Sequence, residues 1–282
     1  MWFEKGGKIF VSMPGVPYEM KGMMELDVIP QLQKRFTFPH IVHHTLLTVG
    51  VGESFLAETI QEFEAALPSH IKLAYLPNYG MVRLRLTATG FNAADIEKEV
   101  SGQFSTLKIL VKPYLATDKD EPMQQVVANL LLANKKTIST AESCTGGYIA
   151  SLFTAVAGAS AYYSGSVVSY SYKVKEQLLQ VDKNILESVG AVSEEVVLQM
   201  AKGALKNIGT DYTIAVSGIM GPDGGSKDKP VGTVWIAVGS NNKIIAKKLH
   251  FWFDRQRNIE LTSVNALNMM RVFILEETKY QQ

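Results

Sequence analysis

The sequence predicts an α/β protein in which a three-layer α/β domain fills the C-terminal half and a small α+β domain precedes it. Three observations carry this expectation. From about residue 123 onward, short apolar runs alternate with helical patterns, the spacing that buries a sheet between two helix layers. Residues 41–113 hold a self-contained order of strand, helix, strand, strand, helix and strand. The 282 residues are 46% hydrophobic, enough for two cores on the usual length prior.

The chain opens with Trp2-Phe3 and Lys8 to Met13, a strand or hairpin pattern so early that the chain is expected to begin inside a domain. Pro14-Gly15-Val16-Pro17 reads as a turn, followed by a Met-rich helix from Tyr18 to about Phe36. His43 to Val49 alternates like a strand, and Glu53 to Leu67 is amphipathic and helical. Ile71 to Leu76 and Met81 to Ala88 read as strands around Pro77-Asn78-Tyr79-Gly80, and Asn92 to Leu107 as a second helix. Lys112 to Asp120 is polar with a proline and suits a linker. Expected segments are therefore 1–36, 37–113, a linker at 114–122, and 123–282.

In the last segment a helix is expected over Met123 to Asn134, a strand over 137–142 and a helix over Tyr148–Val156. Next come a strand over Tyr162–Tyr172 and helices over Val174–Gln180 and Ser193–Ile208. Strands at Tyr212–Val216, Gly232–Gly239 and Lys243–Phe251 precede a final helix from Arg257 to Glu277.

A formal net charge of +1 gives no global field toward nucleic acid, membrane or an acidic partner. The single cysteine, Cys144, excludes an intrachain disulfide and Cys-rich metal sites, and fits a reducing cytoplasm. No apolar run approaches the roughly 20 residues of a membrane span. Residues 1–8 show no apolar signal-peptide core.

Candidate chemistry concentrates just after strands of the C-terminal half, where such sheets place ligand crevices. Thr140 to Gly147 puts Ser143 on a strand-to-helix turn, with Gly146 and Gly147 opening the helix. Backbone N–H groups there suit an anion, either a phosphate or the oxyanion formed when Ser143 attacks a carbonyl. Ser169 to Lys175 ends one strand and starts a helix. A partly desolvated Lys175 can act as a general base, with Tyr170 placed to relay a proton or tune the lysine. Four of the five histidines (His40, His43, His44 and His70) lie in the first two segments, and His250 sits in a strand-like stretch. A Ser-Lys pair is thus a better candidate than a Ser-His-Asp triad. Ser217 to Gly225, running on to Thr233, is rich enough in glycine for close backbone approach to a ligand. Phe253 to Arg257 offers two arginines that can pair a phosphate.

Taken together, these clusters resemble the C-terminal domain of the CinA family, also found alone as nicotinamide mononucleotide deamidase. The residues that carry the likeness are Ala141–Gly147, Gly158 with Ser160, Tyr170-Ser171 with Lys175, Gly190–Glu194, Ser217–Ile219, Gly221–Gly225, Lys229–Trp235 and Asp254-Arg255. Gly50 to Leu56 and the strands after it look like the family's KH-like middle domain. Ser12 to Met20 looks like the end of its molybdopterin-binding-like N-terminal domain, so the family's ADP-ribose pyrophosphatase activity is expected to be missing.

The resemblance implies hydrolysis of the carboxamide of nicotinamide mononucleotide by a cytoplasmic homodimer, with no cofactor or metal in that step. It implies Ser143 as nucleophile, Lys175 as base and Tyr170 as helper. Backbone groups of Thr145, Gly146 and Gly147 would hold the oxyanion, and Ser217, Gly218, Gly221, Thr233 and Arg255 would bind the nucleotide. Phe253 stands where the family usually has glycine, which leaves Arg255 and Arg257 both open as the phosphate ligand. A non-catalytic nucleotide-binding or interaction protein is the competing expectation. Nucleic-acid binding by residues 41–113 is disfavoured, because Gly50-Val51-Gly52 is not a GxxG loop.

Overall fold

In a computed structural model that describes residues 1–279, the chain builds three sheets of two, four and five strands. Strands β1 (Trp2–Lys5) and β2 (Lys8–Val11) form an antiparallel hairpin on which Phe3 stacks against Phe10. Helices α1 (Pro17–Met23) and α2 (Ile29–Arg35) are joined by a π-helical stretch, Met24–Val28. The expected single helix is thus widened just ahead of Pro30, which has no N–H to give the preceding turn.

The middle segment comprises β3 (His40–Val49), α3 (Glu53–Thr59), α4 (Gln61–Ala65), β4 (Ile71–Asn78), β5 (Met81–Gly90), α5 (Ala93–Leu110) and β6 (Leu115–Thr117). Its sheet runs β4-β5-β3-β6, antiparallel throughout. Alternation along β5 buries Val82, Leu84, Leu86 and Ala88 on one face. Helix α5 lays Ile96, Val100, Phe104 and Leu107 on that face, and the Asn92 side chain caps its start. Two expectations change. The helix expected over Glu53–Leu67 breaks at Ile60, whose side chain is buried and whose backbone leaves helical geometry. Strand β6 falls inside the expected linker and pairs with β3, while Asp120 binds Arg83 and Arg85, so this polar stretch is tied to the sheet.

The C-terminal segment begins with α6 (Met123–Ala133), β7 (Ile138–Glu142), α7 (Tyr148–Thr154), β8 (Tyr163–Val168), α8 (Tyr172–Leu179) and α9 (Lys183–Val189). It continues with α10 (Glu194–Ile208), β9 (Tyr212–Gly218), β10 (Thr233–Ser240), β11 (Ile244–His250) and α11 (Arg255–Lys279). The sheet order is β11-β10-β9-β7-β8, with β7 parallel to both β8 and β9 and the other pairs antiparallel. Helices α6, α7 and α11 cover one face over Ile138, Ile214, Val216 and Ile236. Helices α8 to α10 cover the other, where Ala141, Ala215 and Ala237 let α10 approach closely.

Two connections therefore leave β7's neighbourhood on opposite faces: α7 leads outward to β8, and α8 to α10 cross back to β9. The carboxyl end of β7 is the point where they diverge, and a crevice opens there. Helix α9, capped by Asp182, was not expected, and the strand expected to reach Tyr172 ends at Val168 because Ser171 caps α8. The middle sheet is joined to this domain by a shared core that contains Leu47, Val49 and Met81 together with Leu267 and Phe273. Among the described residues no helix is long and apolar enough to cross a membrane.

Helix α8 carries Lys175 and ends against α10 at Gly203. A Cβ there would sit 1.9 Å from the Leu179 carbonyl oxygen, inside any real contact. Gly203→Ala is expected to lower stability by roughly 1–3 kcal/mol. Urea denaturation checks this, and a midpoint equal to the parent's would contradict such close packing.

Candidate active site

Ser143 is the first residue beyond β7. Its N–H donates to the Val216 carbonyl of β9 at 3.0 Å, so strand pairing sets the serine backbone. The turn that follows is held from inside by Glu142, which has no solvent exposure. Its Oε2 accepts from Thr145 Oγ1 (2.7 Å), Gly147 N–H (3.1 Å) and Ile149 N–H (3.0 Å). Its Oε1 accepts from Ala150 N–H (2.8 Å) and Thr140 Oγ1 (3.1 Å). A buried carboxylate thus satisfies the orphan N–H groups that open α7 and favours their positive end.

The expected oxyanion groups are rearranged by this carboxylate. Gly147 N–H is taken by Glu142, and Gly146 N–H donates to the Ser143 carbonyl at 3.2 Å. The N–H groups of Cys144 and Thr145 bond no backbone carbonyl among the described residues, and that of Cys144 faces its own thiol. Gly146 and Gly147 serve the turn through positive φ, 62° and 97°. The Cys144 thiol is buried, and burial pushes its pKa up to about 12, which keeps it a protonated packing group.

Lys175 is fully buried in α8. Its Nζ lies 3.0 Å from Ser143 Oγ and 2.5 Å from the Ser169 carbonyl oxygen. Ser169 is fixed in turn by its N–H on the Glu142 carbonyl, 2.7 Å away. Both partners of the amine are neutral, and burial pulls its pKa down to about 8.

The pair lines a crevice of about 260 Å3. Apolar Ala191, Val192, Ile219 and Met220 line it, as do Arg255 and Tyr170. Arg255 donates from Nη1 to the Gly221 carbonyl (2.9 Å) and from Nη2 to the Tyr170 hydroxyl (3.2 Å). Tyr170 is 66% exposed and bonds Arg255 rather than Lys175, so it does not contact the lysine it was expected to tune.

Ser217 and Gly218 line the crevice. Ser217 Oγ donates to the Ala191 carbonyl at 2.7 Å, and a Cβ on Gly218 would lie 2.8 Å from Val234 Cγ2. Thr233 stands outside this lining, and its carbonyl accepts the Ile219 N–H, shaping the loop at a distance. Thr145 is buried on Glu142, and Thr145 to Gly147 contribute no side chain to the lining. Arg257 points elsewhere, with its Cζ 4.2 Å from the Phe253 ring centroid, so of the two arginines Arg255 is the one at the crevice.

From the sequence, Ala191, Val192 and Met220 stand out only as parts of the Gly190–Glu194 and Ser217–Gly225 motifs, and Glu142 has no assigned role. An acid set into an apolar strand directly before a serine, with glycines four and five residues on, was the available signal for Glu142. Among the described residues no group of three or more His, Cys, Asp or Glu side chains is placed to hold a metal ion.

A serine hydroxyl and a desolvated lysine amine at the switch point of a mixed sheet, with a smaller α+β domain packed alongside, define the class of this protein. The chain belongs to the CinA family: residues 120–274 match the CinA C-terminal domain, and residues 43–115 match the damage-inducible protein CinA KH domain. It is 46% identical to a CinA-like protein of Cytophaga hutchinsonii over 96% of this chain and 65% of that protein. Against a CinA-like protein of Flavobacterium psychrophilum the identity is 42%, over 98% of this chain and 66% of that one. The chain thus spans about two thirds of the length of these relatives. Among solved structures, competence damage-inducible protein A of Klebsiella pneumoniae is 37% identical with a TM-score of 0.52, covering 53% of this chain and 93% of its own.

If Glu142 organises the serine turn, Glu142→Gln turns an NH₂ group toward backbone donors. The expected loss is about 1–3 kcal/mol of stability, read by chemical denaturation. A variant as stable as the parent would show that the five hydrogen bonds do not need a carboxylate.

Proposed function

We propose that the C-terminal domain hydrolyses the carboxamide of nicotinamide mononucleotide to nicotinic acid mononucleotide and ammonia. The observation that carries this reading is the 3.0 Å contact between Lys175 Nζ and Ser143 Oγ in a crevice that Arg255 also lines. A hydroxyl is a weak nucleophile at neutral pH and needs a base, and an amine with its pKa near 8 is one.

Neutral Lys175 keeps one N–H on the Ser169 carbonyl and accepts the Ser143 proton through its lone pair. Ser143 Oγ attacks the amide carbon, and the developing oxyanion is met by the N–H groups of Cys144 and Thr145, which bond no backbone carbonyl among the described residues. Lys175 returns the proton to the amide nitrogen, the C–N bond breaks and ammonia leaves. Water then attacks the acyl ester, giving its proton to Lys175, which returns it to Ser143 as the carboxylic acid departs. The apolar lining of Ala191, Val192 and Met220 suits the flat face of a pyridine ring, and Arg255 suits the phosphate. Family membership does not separate turnover from binding, and the same site would also serve a protein that binds the nucleotide without turning it over. Ammonia release separates the two.

Ser143→Ala is expected to reduce ammonia release by roughly a thousandfold or more with the fold intact by circular dichroism. Unchanged turnover would remove Ser143 from the nucleophile's role, and a parent protein that binds without turnover would favour the non-catalytic reading. Because the neutral amine is the active form, kcat/KM is expected to rise with pH and reach half its maximum at about pH 8. A profile flat from pH 6 to 10 would exclude Lys175 as the base. The same depression makes the fold more stable as pH climbs from about 8 toward the ordinary lysine value, since over that window the unfolded chain holds a proton the folded chain has lost.

A further inference from the structure

The β4–β5 hairpin ends in a residue that its own backbone disfavours. Asn78 pairs with Met81, leaving Tyr79 and Gly80 as a two-residue turn. Both have positive φ, 40° and 76°. Asn-Gly is the preferred pair for such a turn, and a large aromatic residue in that region is an outlier that persists only where its surroundings hold it.

Those surroundings belong to the other domain. Arg257 of α11 lies with its Cζ 6.0 Å from the Tyr79 ring centroid, between that ring and Phe253. The nearby Glu260 carboxylate, whose Oε1 accepts from Gln256, pushes the Tyr79 hydroxyl's pKa up. Leu261 Cδ2 comes within 3.4 Å of where a Gly80 Cβ would stand. Residues 257, 260 and 261 share one face of the helix, spaced by three and four, and that face meets the hairpin tip.

The same helix start also serves the crevice. Arg255 is the first residue of α11, and its guanidinium reaches Gly221 and Tyr170. Asp254 Oδ1 caps the helix by accepting the Arg257 N–H at 3.0 Å, so the residue flanked by the two rings and the residue at the crevice share one turn of backbone. A face gripped by the middle domain and a face lining the candidate active site are two sides of a single helical turn.

We propose that the Tyr79 tip and Arg257 are positioning residues for Arg255: the middle domain braces the first turns of α11 and thereby holds the guanidinium that meets the substrate's phosphate. This rests on the reading of Arg255 as the phosphate ligand. It gives the middle domain a part in substrate binding, with no contact to substrate and no role in the proton transfers at Ser143. It also accounts for a tyrosine at a turn position where asparagine is favoured.

Tyr79→Asn in the full chain tests this directly, because asparagine suits the turn while removing the ring; Arg257→Ala is the second variant and Arg255→Ala the reference. Hydrogen exchange of the amides of residues 257–262 reads the bracing, and steady-state kinetics with nicotinamide mononucleotide and with the nucleoside lacking its phosphate read the consequence. Tyr79→Asn is expected to speed exchange at the helix start about tenfold. It should raise KM for the mononucleotide about five- to tenfold, with kcat within about twofold and the nucleoside unaffected. Arg257→Ala is expected to follow it. Unchanged exchange in both variants would overturn the bracing. Faster exchange with an unchanged KM, in a protein where Arg255→Ala raises KM, would overturn the coupling and leave the phosphate reading standing. An unchanged KM in Arg255→Ala would overturn the phosphate reading, and the proposal with it.

Discussion

A lysine amine shut away from water, with a hydroxyl and a carbonyl as its hydrogen-bond partners, is the constraint on which the candidate site depends. An ammonium loses much of its hydration in such a place, and no carboxylate among the described residues bonds to it in compensation. Burial therefore shifts the balance toward the neutral amine and makes a weak hydroxyl useful. Three elements must cooperate to hold the geometry. The end of β7 supplies Ser143, the end of β8 supplies the Ser169 carbonyl, and α8 supplies Lys175. Close packing of α8 on α10 at Gly203 ties that helix to its neighbour in the same helix layer.

Glu142 makes the arrangement possible by absorbing the polarity of the turn. Without it, Gly147, Ile149 and Ala150 would present unsatisfied N–H groups in a buried region, and Thr145 would lose its partner. Its presence also divides the backbone into donors used for structure and donors left for a ligand. The N–H groups of Gly146 and Gly147 are consequently spent within the turn, and those of Cys144 and Thr145 bond no backbone carbonyl among the described residues.

Much of this was legible in the sequence, for identifiable reasons. The strand and helix periods of the C-terminal half are strong because both faces of the sheet are buried, and Ser143 and Lys175 both fall at strand-to-helix junctions of that pattern. Their contact across 32 residues is a tertiary fact that local pattern cannot provide. The choice between Arg255 and Arg257 depends on the phase of α11 at its first turn, which composition does not set. Ile60 interrupts a helix because its side chain is drawn into the core, and β6 pairs as a three-residue edge strand too short to show a period. Glu142 went unmarked because an acid in a strand ordinarily faces solvent, and only the folded turn shows its five donors.

The most direct test of the account is the ionisation of Lys175 itself. Its Cε chemical shift, followed by NMR in protein labelled at lysine and assigned with a Lys175→Met variant, is predicted to titrate with a midpoint at about 8, well below an ordinary lysine. A Cε resonance that stays in the charged position until pH rises past 10 would mean that burial does not neutralise this amine, and the Ser143–Lys175 pair could not work as described.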